Sequence, residues 1–151
     1  MAKGKIQKAK QPPKIKGSYI SEQRGGCPHL PAFSFLYLTT NKKNNFDYFK
    51  DKHEKAFALE SMFKRLQEIG QKEHYYWLGL GKDQGGCEKI PYFRLHFSPA
   101  NVTISQDEMV FIFRFALKRG SNAGRIIAWK KDACPILYII GFDFNYNAYD
   151  H

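Results

Sequence analysis

Cysteine is scarce in this chain of 151 residues: Cys27, Cys87 and Cys134 are odd in number and widely spaced, a poor disulfide framework. A chain of this length builds a core without one, so reduced thiols and a cytoplasmic setting are the expectation. Long apolar runs are also missing. The longest, Ile136 to Phe142, falls far short of the ~20 residues that a membrane-spanning helix needs. The basic N-terminus has no apolar stretch behind it to form a signal peptide. These absences predict a protein that neither crosses a membrane nor is secreted.

Catalytic signatures are missing too. There is no GxxxxGK[ST] phosphate loop, GxGxxG, GxSxG elbow or HExxH. Among nucleic-acid modules, the ribonucleoprotein consensus, the zinc knuckle and the GXXG clamp are absent. Cys27, His29, Cys87 and Cys134 hold residue types that bind zinc, but Cys27-Pro28-His29 lacks the knuckle spacing. Isolated cysteines are more often small buried hydrophobes. No metal and no cofactor is expected.

Acid is missing from one end. Residues 1–17, MAKGKIQKAKQPPKIKG, hold six Lys, two Pro and no Asp or Glu. Such a segment has too little apolar material to offset the entropy of ordering, so residues 1–18 read as a flexible basic arm and 19–151 as one domain. Lys3, Lys5, Lys8, Lys10, Lys14 and Lys16 suit a phosphate backbone, although arms of this kind also serve as solubilising leaders. The whole chain carries 24 Lys and Arg against 14 Asp and Glu, a net charge of +10. That balance favours a polyanionic partner, with nucleic acid first and RNA preferred. The arm supplies six of the ten charges, so the remainder is only mildly basic.

What is plentiful is aromatic: 13 Phe, 9 Tyr and 2 Trp within 43% hydrophobic residues, ample for a core. Phe33, Phe35 and Tyr37 alternate with Ser34, Leu36 and Leu38, the pattern of a strand buried on both faces. Asn41, Asn44 and Asn45 then suit a turn. Ala56, Leu59, Met62, Phe63, Leu66 and Ile69 recur at helical spacing. They predict a helix from about Phe46 or Asp51 to Ile69, capped by Asp51 with Glu54 and closed by Gly70. Glu60 with Lys64 and Asp51 with Lys55 are favourable pairs four apart.

Five β-prone runs follow at short spacing: Tyr75–Leu80, Tyr92–Ser98, Met109–Ala116, Arg125–Lys130 and Ile136–Phe144. Short connections favour antiparallel pairing. Residues 118–124, KRGSNAG, read as one hairpin loop, and Asp132 to Pro135 as the next turn. The fold class expected is α+β: one main amphipathic helix on a curled, mostly antiparallel sheet of five to six strands. GGCPHLP at 25–31 and GGCEKIP at 85–91 echo one another, but two copies are too few for a repeat architecture.

Read as a strand, Tyr92-Phe93-Arg94-Leu95-His96-Phe97-Ser98 puts Tyr92, Arg94 and His96 on one polar, cationic face. Arg114 extends that face if it lies on a neighbouring strand, and Arg125 and Lys130 add to it. Arg94, His96 and Arg114 are the candidate catalytic set. Metal-free RNA cleavage needs a titrating group, here His96 or Glu88, and fixed cations around the phosphorane. The same residues equally suit the solvated outer face of a sheet. Tyr92, Lys118, Arg119 and Arg125 join the arm as candidate nucleic-acid contacts. Tyr75, Tyr76, Tyr92 and Trp129 are candidate stacking platforms. Asp143, following an apolar strand, reads as a turn-forming or a catalytic carboxylate, and Asp150 and His151 lie close to it in sequence.

The outline over residues 33–144, a helix followed by an antiparallel meander in a small basic domain, resembles the RelE-type ribonuclease toxins. That resemblance implies a metal-independent endoribonuclease with an antitoxin or other protein partner, and assigns no residue by position. Three readings follow: a nucleic-acid-binding domain, such an enzyme, or a protein-interaction or phage-type accessory domain.

Overall fold

The computed structural model describes residues 30–132 and 134–150; the lysine arm, Cys27, His29 and His151 lie outside them. Seven elements build the fold. β1 (Ala32–Ser34) precedes α1 (Lys52–Gly70) and α2 (His74–Gly79), and β2 (Cys87–Pro91), β3 (Met109–Phe115), β4 (Gly124–Trp129) and β5 (Ile136–Asp143) follow. The five strands form one open sheet in the order β1-β5-β4-β3-β2. β2 to β5 pair antiparallel, and β1 lies parallel to β5, so the sheet is mixed. The class is α+β, with one main helix against a largely antiparallel sheet.

α1 begins where Asp51 accepts hydrogen bonds from the backbone N–H groups of His53 and Glu54 at 2.8 and 2.9 Å. Its buried stripe is Ala58, Met62, Leu66 and Ile69, rotated from the one that spacing predicts, and Phe63 is 58% exposed. The stripe packs on Phe111, Phe113 and Phe115 of β3, Ile126 of β4 and Phe142 of β5. Truncating a Phe to Ala in a core of this kind costs about 3–5 kcal/mol.

The other face of the sheet holds a second core rather than solvent. Val110, Ile112, Ile127, Trp129 and Ile140 are covered by Tyr92, Phe97, Ile104, Ala148 and Tyr149. A register shift in the β4–β5 pairing leaves Ile140 without a partner between the pairs Ile127–Gly141 and Ala128–Ile139. Phe97 packs where Gly141 has no side chain: a Cβ there would stand 2.3 Å from the Phe97 ring.

Three expectations need correction. Tyr75–Leu80 falls in the short helix α2 rather than a strand; Trp77 anchors it, buried and donating from its indole nitrogen to the Ile69 carbonyl at 3.0 Å. Tyr92–Arg94 is a 3₁₀ turn, with Leu95 N–H bonded to the Tyr92 carbonyl, so the alternating face of that run does not form. The first strand is three residues long at the sheet edge, and Phe35 and Leu36 beyond it are exposed. The KRGSNAG hairpin and the turn before Pro135 occur as expected, joining β3 to β4 and β4 to β5. Among the described residues no helix is long and apolar enough to cross a membrane.

Candidate nucleic-acid interface

Arg94 and His96 hold the end of the chain. The Arg94 guanidinium donates to the Asp150 carbonyl at 2.6 Å. His96 Nδ1 lies 3.1 Å from the Asn147 carbonyl, and Nε2 lies 3.2 Å from the Asp150 carboxylate. A carbonyl only accepts, so Nδ1 carries the proton in that bond. His96 N–H also bonds the Ala148 carbonyl, and Leu95 bridges Tyr149. Together these contacts fasten residues 147–150 over the second core.

Arg125 and Tyr92 are core residues. Arg125 is 5% exposed, and its Nη1 donates to the carbonyls of Asn122, Ala123 and Gly124 at 2.9, 2.7 and 3.3 Å. Its guanidinium lies 5.1 Å from the Tyr146 ring centroid. Burial pushes the Tyr149 phenol up, Glu88 adds to the shift, and the neighbouring Arg125 opposes it. Asp143, fully buried, accepts from the N–H groups of Asn145 and Asn147, the turn-forming role. Tyr92 and Trp129, 9% and 3% exposed, offer no free ring to a base. Arg114 and Arg125 do meet, as cross-strand partners. No hydrogen bond or ion pair among the described residues joins them to Arg94 and His96.

A second group of cations gathers elsewhere. A cleft of about 430 Å³ opens between α1, the 3₁₀ turn Lys82–Gln84 and the end of β3, and Lys64, Arg65, Lys82 and Arg114 line it. Gly86 makes the turn possible: a Cβ there would stand 2.0 Å from the Leu80 carbonyl oxygen. The turn sets Asp83 against Arg114 at 2.9 Å. Arg65 pairs with Glu68 at 2.9 Å, bonds the Gly85 carbonyl, and lies 5.0 Å from the Trp77 ring centroid. The Nε atoms of Arg65 and Arg114, like that of Arg125, are buried without a hydrogen-bond partner among the described residues.

Both carboxylates are largely in solvent, 60% exposed at Glu68 and 80% at Asp83. Exposed pairs contribute roughly 0–1 kcal/mol, so neither carboxylate is held tightly. The exposed Lys118 and Arg119 project from the hairpin after β3, whose loop residue Asn122 also lines the cleft. Arg114, Lys118 and Arg119 were legible as candidates from sequence; Lys64, Arg65 and Lys82 were not. The signal at Arg65 was its place beside the buried helix stripe, where a guanidinium cannot turn freely into solvent.

Cys87 is buried, and burial pushes its thiol up to about 12; such a thiol is a poor metal ligand at neutral pH. Among the described residues no group of three or more His, Cys, Asp or Glu is placed to hold a metal ion. No protein-family model matches the chain. No curated protein and no solved structure matches it either.

Proposed function

We propose that the protein binds nucleic acid, with RNA preferred, through the Arg65–Arg114 cleft, the hairpin cations and the lysine arm. The observation that carries this reading is the gathering of four cations, Lys64, Arg65, Lys82 and Arg114, along one cleft. A phosphate supplies several acceptor oxygens in the geometry that Arg prefers, and Lys adds point charges beside it. An endoribonuclease reading drew on Arg94 and His96, whose side chains hold the C-terminal segment; binding requires neither.

The test is a salt titration with a labelled single-stranded RNA. Affinity is expected to fall steeply from low to moderate salt, by about 0.7 in logarithmic slope for each phosphate neutralised. Deleting residues 1–17 is expected to flatten that slope. Failure to bind either RNA or DNA at low salt would overturn the proposal.

A further inference from the structure

We propose that a second cavity, between α2 and the turn before β5, is a nucleobase pocket, and that the ligand is therefore single-stranded. This rests on the nucleic-acid reading and extends it by naming the strand state and the base site. The cavity has a volume of about 330 Å³, with Pro31, Pro135 and Leu137 as apolar walls and His74, Tyr75 and Lys130 as polar ones. A base asks for this combination: flat apolar contact for its faces and a few polar atoms for its edge.

His74 supplies the edge contact. Its ring meets Phe111 edge-on at 4.7 Å, which fixes its plane, and its buried Nδ1 has no hydrogen-bond partner among the described residues. Burial first, then the charges of Lys130 and Lys89, hold the imidazole below its usual range. At neutral pH it is uncharged, with one nitrogen to donate and one to accept. Tyr75, 80% exposed, offers a ring for stacking.

The pocket connects to the cationic cleft through α2. Trp77 lies under Arg65 of the cleft, while Tyr75, two residues earlier and so on the far side of the helix, lines the pocket. On the same segment the Lys72 ammonium lies 5.5 Å from the Tyr76 ring centroid. Duplex bases are paired and stacked, and must be extruded at a cost of a few kcal/mol before entering a pocket. A single strand avoids most of that cost.

Cys134 lines the pocket, whereas Cys87 is buried with its thiol pushed up to about 12. In a Cys27→Ser variant of the full chain, a soluble alkylating reagent therefore reports on Cys134. Saturating single-stranded RNA is expected to slow its alkylation, and a duplex of equal length at saturation is not. Tyr75→Ala is expected to lower single-strand affinity about tenfold, the loss of one stacked base, and to leave duplex affinity unchanged. An unprotected Cys134 at saturating RNA, or an unchanged single-strand affinity in Tyr75→Ala, overturns the pocket while the binding proposal stands. Loss of all RNA binding in the parent chain removes both.

Discussion

Two groups of cationic side chains in this molecule have opposite surroundings. Arg94 and Arg125 donate to main-chain carbonyls, of Asp150 in one case and of Asn122, Ala123 and Gly124 in the other. Arg114 pairs with the solvated carboxylate of Asp83, and Arg65 divides its donors between the solvated Glu68 carboxylate and the Gly85 carbonyl. A carbonyl within the fold cannot leave without local unfolding, but a surface carboxylate swings away readily. Arg94 and Arg125 are committed to structure, whereas Arg114 is held by a solvated carboxylate. A positive charge on a sheet is thus no guide to function until its acceptors are known.

The largest effect that sharpens this comparison belongs to Arg125→Ala. It leaves three carbonyls without their guanidinium donor, so urea denaturation is expected to show a loss of about 3 kcal/mol, with little change in RNA affinity for the folded fraction. Arg114→Ala should behave in the reverse sense. Its stability is expected to change by under about 1 kcal/mol while RNA affinity falls about tenfold, as fluorescence anisotropy would register. If Arg114→Ala proves as destabilising as Arg125→Ala, the two groups are not distinct. The smallest effect is a gain. Asp83→Asn removes the carboxylate competing for Arg114, and RNA affinity at low salt is expected to rise roughly two- to threefold, the equivalent of ~0.5 kcal/mol.

Much of the scaffold was legible because its signals are local. Asp51 before the helical stripe marked the start of α1, and the apolar runs of β3, β4 and β5 needed only composition to read. α2 was misread because Tyr75 to Leu80 is rich in aromatics that favour strands. Trp77 makes it a helix by docking its ring beneath Arg65 and its indole N–H on Ile69. The polar face around Arg94 and His96 failed for a related reason: period-two alternation assumes a strand, and the 3₁₀ turn at Tyr92–Arg94 breaks the period. Of the cationic cleft, only Arg114 is a candidate from sequence, with Lys118 and Arg119 on the adjoining hairpin.

By itself the sequence determined the α+β class, the span of the main helix, the three central strands and the concentration of positive charge in the first 17 residues. The tertiary structure alone decided which acceptor each guanidinium meets. Arg114 meets Asp83 across 31 residues and Arg94 meets Asp150 across 56. The irregularity at Ile140 shifts the register of β5 within an unbroken apolar run. Helical and strand periods describe neighbours along the chain, whereas the acceptor available to a buried guanidinium is set by packing between distant segments.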